Sequence, residues 1–388
     1  MCGAFHPGTK ESLYDLPVES YAEFTEKYQE FLVSTWGHRL RFFSWLPVTH
    51  DMGTSLSCVI LRLVGMLCVP LFFGCTAFLM SPVDFVSAPD LWLAGMSKFG
   101  CSFTAAPDFA YALAARKTSD DLVSELNFEK VMACVNGAEP IRPATIEAFL
   151  QKFSPAGFEP WMMCPAYGLA EHTVGVTGRS SEGRKPRNPR IIEVNQRKLA
   201  QGDTVEIIMP GAKSEGAMRA KLIVGCGEPH QGVIVKIVDP KLLHELPEWR
   251  IGEVWVSSHS AASGYFRCPV ETASTFNLHL DTADGAVSGD RTFLRTGDLG
   301  FLGDGELFIT GRLKDVIIIR GCNYYPQDIE EAVERCAAVR KGGVMAFAIS
   351  TVNDGEGLGV AAEIQSKIFL NPFADLAFAI NPCIVTTV

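Results

Sequence analysis

Asp298 follows a Thr-Gly pair in RTGDLGFLGDGELFITGRLKDVIIIRGCNYYPQDIE, residues 295–330. A carboxylate on a tight turn can face a ligand instead of a partner strand. Arg312, Lys314 and Asp315 then separate two apolar runs, Leu307-Phe308-Ile309 and residues 316–319. Charges gathered between buried strands are costly unless they meet water, a partner or a ligand. A surface hairpin with a solvated charge cluster is the alternative reading. Three shorter segments carry further candidates. YGLAEHTVGVT, residues 167–177, sets the ring of Tyr167 before Gly168 and places Glu171 four residues on. VNGAEP, residues 135–140, closes a strand with Gly137, Ala138 and Glu139. Backbone there can approach a flat ligand closely, although on its own the segment is only a turn. SWLPVTHDMG, residues 44–53, puts His50 and Asp51 after a Leu-Pro turn; taken alone it reads rather as a helix N-terminus with His50 filling space.

These side chains need elements to hold them. Residues 41–178 alternate strand-like runs with helical stretches, an α/β layer pattern. FLMSP and SFTAAP read as strands closed by proline, and residues 91–98 and 109–116 read as helices. Residues 131–135 form a short buried strand. The alternative, purely structural reading of YGLAEHTVGVT is a capped helix start with Glu171 near the helix dipole. Residues 179–200 are rich in Arg, Lys, Pro, Ser and Asn and read as an exposed loop or insertion. VEIIM, KLIVG, GVIVKIVD, GEVWVSS and ELFIT then suggest a small β-barrel or sandwich. Residues 312–365 read as strand, helix over 328–336, and two strands, VMAFAIS and GVAAEIQ. Residues 1–40 carry apolar positions at helical spacing around Tyr21, Phe24, Tyr28 and Phe31. Residues 366–388 show no clear period.

Composition sets outer bounds. With 388 residues, 47% hydrophobic and 20% charged, the chain can bury a large core and divide into two or three domains. A formal charge of −10 argues against a protein held to nucleic acid by bulk charge. The 12 cysteines lack CxxC pairs or metal-site spacing. Cys58, Cys68 and Cys75 sit in apolar surroundings as small core residues, and a reducing cytoplasm fits best. Residues 63–80 run without a charge at the lower edge of transmembrane length. Gly65, Pro70 and Gly74 break that run, so helix, turn and buried strand is the expectation and a stable membrane span is not.

Taken in order, these blocks resemble the AMP-dependent synthetase/ligase (adenylate-forming) superfamily, from about residue 40 to about residue 365. Arg-Thr-Gly-Asp, Gly-Arg-x-Lys-Asp and Arg-Gly-x-Asn-Tyr-Tyr-Pro match its junction between core and lid. Trp-Leu-Pro-x-x-His-Asp-Met-Gly, MSPVDF, SKFGCSFTAAPDFAYALAARK, YGLAEHTVGVT and the polar insertion before LIVGCGEP are similar to its fatty-acyl-AMP ligase branch. The resemblance implies an α/β adenylate-forming enzyme fold in partial form. Residues 1–178 would be an N-terminal α/β core lacking its first part. Residues 179–310 would be an insertion plus a β-barrel-like subdomain, and residues 311–388 a hinge with the start of an α+β lid.

The resemblance also implies roles. Tyr167 and Gly168, with the Gly137-Ala138-Glu139 turn, would hold adenine. Asp298 would accept both ribose hydroxyls, and Arg312 would contact ribose or the α-phosphate. A carboxylate near a triphosphate is repulsive unless a cation intervenes, so Glu171 would hold Mg2+. Lys314 would be the hinge, and His50 would stand between acyl and nucleotide sites. Trp45, Met52 and Phe109 would line an acyl pocket or be plain core. The implied chemistry is attack of a fatty carboxylate on the α-phosphorus of ATP. The acyl group then passes to the phosphopantetheine thiol of an acyl-carrier protein or to CoA. The family's phosphate-binding loop and lid lysine have no counterpart in residues 1–43 or after residue 365, so an incomplete, impaired enzyme is expected. A silent nucleotide or acyl-adenylate binding module is the alternative, and a membrane protein anchored by residues 63–80 is the third.

Overall fold

Five short parallel strands lie at the centre of the N-terminal half: β1 Arg41–Ser44, β2 Thr76–Leu79, β3 Phe103–Ala106, β4 Ala133–Asn136 and β5 Met163–Pro165. They run in the order β2-β1-β3-β4-β5. The computed structural model describes residues 40–46, 61–179, 187–208, 220–280, 291–319, 322–350 and 356–364. Parallel neighbours need crossovers, and helices α1 Asp90–Phe99, α2 Asp108–Lys117 and α3 Pro143–Phe153 supply them. Glycine in the left-handed region ends α1 at Gly100 (φ 57°), and Pro143 opens α3 in the first turn, where its missing N–H costs nothing.

All of the strands but the edge strand β2 are buried, as strands of parallel sheets are. Phe43, Ala106 and Cys134 point into a core with Trp92, Tyr111 and Phe149 from the three helices. Phe42, Ala105, Ala133 and Val135 pack on the opposite side with Met66. The uncharged run at 63–80 falls in a π-helical stretch Leu61–Cys68, a short helix Val69–Phe72, a turn and β2, the expected order. But β2 is an edge strand with Thr76 and Leu79 exposed, so its reading as a buried strand is corrected. Among the described residues no helix is long and apolar enough to cross a membrane. Cys68 is exposed and Cys75 half-buried, so the reading of both as core residues is corrected; Cys101, Cys134, Cys164 and Cys226 are the buried ones. Cys58 lies outside the described residues.

Antiparallel strands follow. β6 Tyr167–Leu169 and β7 Val174–Gly178 form a hairpin around a single 3-10 turn, Ala170–His172. The helix start read there is therefore corrected. Gly168 explains it, because a Cβ on that residue would sit 1.6 Å from the Val174 carbonyl oxygen. The expected loop over 179–200 is also corrected: β8 Ile191–Asn195 pairs with β9 Ala220–Val224. VEIIM, expected as a strand, makes only an isolated bridge at Ile207 within its described part, with another at Thr204 just before it. A short β10 Glu228–Pro229 pairs with β7. β11 Ile234–Val238, β12 Gly252–Ser257, β13 Leu294–Gly303 and β14 Glu306–Arg312 form a four-stranded sheet in that order.

Beyond β14 a turn leads into β15 Ile317–Ile319, β16 Cys322–Tyr324, helix α4 Pro326–Glu334, and the hairpin β17 Val339–Ser350 with β18 Glu356–Ile364. Ile317, Ile329, Val333, Val339 and Ala346 make a separate small core there. The helix starts and stops two residues earlier than expected, because Pro326 takes its first turn.

Candidate functional site

Asp298 and Arg312 are directly opposite on β13 and β14. Their register follows from an irregularity on each strand pair. Between Glu253 and Trp255 of β12 lies one residue, whereas their partners Leu299 and Arg295 on β13 are separated by three. Thr296, Gly297 and Asp298 therefore bulge out of the ladder, with Gly297 at φ 73°. Bulges of this kind re-aim side chains next to sites. Asp298 Oδ1 accepts from Arg312 Nε at 3.2 Å, and Oδ2 accepts from the Tyr167 hydroxyl at 2.6 Å. Asp298 is 14% exposed and Arg312 66%, so the acid is sheltered and the base faces out. Burial lifts the Asp298 carboxyl above its ordinary range, opposed by the Tyr167 hydrogen bond and the Arg312 charge. Burial, reinforced by Asp298, holds the Tyr167 phenol well above its own.

The turn at residues 137–139 lies beside Tyr167. Ala166 N donates to Asn136 O at 2.9 Å, and a Cβ on Gly137 would come 2.7 Å from Ala166 O. Ala138 holds φ 70°, a region L-residues rarely adopt and one concentrated at binding sites. Glu139 turns back to the N-terminus of α2, where Oε1 accepts from Phe109 N at 2.5 Å. Desolvation pushes that carboxyl up to about 7, although the residue keeps an exposed flank. Asp108 is buried between Asn136 Nδ2 at 2.9 Å and Thr145 Oγ1 at 2.7 Å, tying the turn to α2 and α3.

Glu171 stands on the 3-10 turn and accepts from the Tyr265 hydroxyl at 2.8 Å. Its charge contributes to the raised Asp298 carboxyl, so the two acids share one electrostatic environment. Several bonds zip this turn to the loop after β12. Ala262 N donates to Glu171 O at 2.8 Å, and Thr173 Oγ1 donates to Ser260 O at 2.8 Å. His172 is buried with Nδ1 3.0 Å from Gly175 O and Nε2 2.5 Å from Ser258 Oγ. Burial lowers the His172 pKa, so the ring is neutral, donating from Nδ1 and accepting from the serine. Thr173 and Val174 both hold positive φ, 61° and 139°, which for β-branched residues is strain.

The structure thus brings together Tyr167, Gly168, Asp298 and Arg312, with the 137–139 turn and Glu171 alongside. Lys314 is exposed on the turn after β14. That turn is tied to the bulge, because Leu313 N donates to Gly297 O at 2.8 Å. Trp45 is buried and stacked on Phe85 at 3.6 Å, whereas Phe109 is 43% exposed at the start of α2. His50, Asp51 and Met52 lie outside the described residues. Sequence reasoning missed Tyr265 and Glu253. The signal for Glu253 was a lone charge inside the apolar run GEVWV; Tyr265, in a Ser-Gly-Tyr-Phe turn, had none.

Residues 18–266 match the family model described as AMP-binding enzyme, and the chain belongs to that family. It is 37% identical over 338 residues to a medium-chain-fatty-acid–[acyl-carrier-protein] ligase, JamA, of Moorena producens, covering 86% of this chain and 53% of that one. It is 36% identical to the long-chain-fatty-acid–AMP ligase FadD26 of Mycobacterium marinum, covering 79% and 48%. A fatty acyl-adenylate ligase of L. pneumophila, solved with acyl adenylate and pyrophosphate, superposes with TM-score 0.63 at 31% identity, over 94% of this chain and 60% of that one. A further structure, from a study of such ligases from E. coli and L. pneumophila, superposes at 0.73 and 27% identity, over 93% and 59%. The fold is that of the adenylate-forming enzymes. The chain spans about half the length of the curated relatives it matches.

Proposed function

We propose that this chain belongs to an AMP-forming fatty-acid ligase and carries its nucleotide site. The observation that carries the reading is the grip on Asp298, where one sheltered carboxylate meets the Tyr167 hydroxyl and the Arg312 guanidinium at 2.6 and 3.2 Å. In this reading Asp298 accepts the ribose hydroxyls. Tyr167, Gly168 and the Gly137-Ala138-Glu139 turn enclose adenine, and the exposed Arg312 side chain reaches ribose or the α-phosphate. His50 stands near the reacting carboxylate, and Lys314 is the pivot of the lid.

Mg2+ fits Glu171 as a shared ion. Among the described residues no three His, Cys, Asp or Glu side chains group to hold a metal by themselves. Magnesium bound with substrate phosphates needs only one or two carboxylates. When bound it supplies positive charge against the phosphates. The protein's part is to place a fatty carboxylate and the α-phosphorus together despite their repulsion. Pyrophosphate leaves, and the acyl adenylate is attacked by a thiol. Relatives named as acyl-carrier-protein ligases support a phosphopantetheine arm as that thiol, and CoA is the other acceptor. The proposed compartment is the cytoplasm.

Calorimetric titration of the chain with AMP tests the nucleotide site. Binding is expected, and Asp298→Ala is expected to abolish it; equal affinity in both would overturn the assignment. Incubation with ATP, Mg2+ and a fatty acid, with hydroxylamine to trap acyl adenylate, then separates a ligase from a nucleotide-binding module that releases no pyrophosphate.

A further inference from the structure

Asp298 owes its position to Glu253, which lies outside the sequence motifs, and to Thr296, two residues before it in the Arg-Thr-Gly-Asp motif. Glu253 is 2% exposed, a buried carboxylate on β12. Arg295 donates to it from Nε at 3.0 and 3.2 Å and from Nη2 at 2.8 Å. Trp255 Nε1 adds a bond at 3.0 Å, and Gly297 N donates to Oε1 at 3.2 Å. A carboxylate inside an apolar strand is costly unless satisfied, and here one of its bonds goes to the crest of the bulge that presents Asp298. Thr296 fastens the same bulge from within. Its hydroxyl donates to Val254 O at 2.7 Å and accepts from Asp298 N at 3.1 Å. Val254 is the single β12 residue spanned by the bulge. The bulge is therefore fixed at each of its three residues, Thr296 through its side chain, Gly297 through Glu253 and Asp298 through its amide.

We infer that Glu253 and Thr296 are positioning residues that set the Thr296-Gly297-Asp298 bulge so that the Asp298 carboxylate meets a nucleotide sugar, neither touching the ligand itself. The inference deepens the nucleotide-site reading and rests on it. The same device reaches the hinge, since Gly297 O accepts from Leu313 N at 2.8 Å in the turn carrying Lys314. Nucleotide affinity and hinge geometry thus share one backbone unit, held from β12.

Thr296 gives the cleaner test because its methyl and hydroxyl can be separated. Thr296→Val keeps the shape and removes both bonds; Thr296→Ser keeps the hydroxyl. Loss of two ordinary hydrogen bonds to a loop corresponds to roughly tenfold weaker binding. AMP affinity of Thr296→Val is expected to fall about that much, while Thr296→Ser holds within about twofold. Glu253→Gln, which keeps the shape and loses the charge that organises Arg295, is expected to act in the same direction. Amide hydrogen exchange read over residues 294–300 supplies a ligand-independent arm, in which Thr296→Val raises exchange at Asp298 and Thr296→Ser does not. Unchanged exchange in Thr296→Val, or AMP affinity equal to wild type despite faster exchange, overturns the inference. Faster exchange in Thr296→Val, with no AMP binding even by the wild-type chain, overturns it too, and identifies the nucleotide-site reading as the part that failed.

Discussion

A phenol and a guanidinium divide the two oxygens of Asp298, and the division has measurable consequences. Tyr167→Phe deletes only the hydroxyl, leaving a sheltered carboxylate short of one donor. A hydrogen bond to a charged group contributes about 1.5–3 kcal/mol, so stability is expected to fall within that range in a denaturant titration. Because that bond holds the Asp298 pKa down against burial, the carboxyl is expected to titrate higher in the variant, which carboxyl-carbon NMR would register; no change would mean the bond does not exist in solution. Two histidines make a second residue-scale prediction. Burial lowers His172 below its usual 6.5 and takes His230 to about 3. Below pH 6.5 the unfolded chain takes up protons that the native chain refuses. Stability is therefore present above 6.5 and lost as pH falls through that value, by at most about 1.4 kcal/mol per pH unit for each ring. Between pH 7 and 5 the wild type should lose more melting temperature than His172→Gln/His230→Gln, and equal losses would contradict it. Tyr167, Asp298 and Arg312 were legible through the motifs that carry the family resemblance. Glu253 showed only as a lone charge in an apolar run and Tyr265 not at all, because each acts through a cross-strand or loop partner distant in sequence.

At the scale of elements, strands were legible where β-branched runs coincided with burial. KLIVG, GVIVKIVD, GEVWVSS and ELFIT each coincide with a strand in β9, β11, β12 or β14. The two failures have one cause. β8 sits at the end of a polar stretch and owes its strand state to pairing with β9, whereas VEIIM has the right composition but few ladder partners. Strand propensity measures fit to neighbours, and the neighbours are not in the window. The β6–β7 hairpin carries the sharpest element-scale prediction. Gly168 lies against the Val174 carbonyl so closely that any Cβ would collide at 1.6 Å. Backbone cannot yield there without breaking the pairing that holds Tyr167 on β6 and Glu171 on the turn. Gly168→Ala is expected to unfold the hairpin and lower the melting temperature by several degrees, with loss of AMP binding. By contrast Gly157→Ala meets nothing within 4 Å and pays only the strain of φ 84°, so it should cost about 1–2 kcal/mol and leave AMP binding intact. A Gly168→Ala protein as stable as wild type would refute the close approach.

Across the whole molecule, the segment after β14 is fastened to what precedes it at both ends of α4. At the N-terminal end, Asp328 pairs with Lys221 at 2.5 Å and accepts from Gln196 Nε2 at 3.2 Å, while the Tyr325 hydroxyl donates to Leu199 O at 2.7 Å. At the C-terminal end, Glu334 meets Arg142 at 3.3 Å, one turn of chain beyond Glu139. The pairs differ in expected strength. Lys221 and Asp328 are 21% and 15% exposed, whereas Arg142 is 45% exposed over a Glu334 that is 6% exposed. Exposed ion pairs contribute about 0–1 kcal/mol, whereas removing one partner of a sheltered pair strands the other charge and costs more. With the added bonds from Gln196 and Tyr325, the Asp328 end should hold the segment and the Arg142 end should trim its angle. Gly311 belongs to the same fastening, since a Cβ there would strike the Tyr325 ring at 2.3 Å. If residues 312–315 form a pivot, weakening the stronger end should expose them. Asp328→Ala is expected to speed limited tryptic cleavage after Arg312 or Lys314 several-fold, with Arg142→Ala producing a smaller change. The double variant should exceed either, and cleavage at wild-type rate in Asp328→Ala would show that the small core of Ile317, Ile329 and Val333, rather than these polar contacts, holds the segment in place.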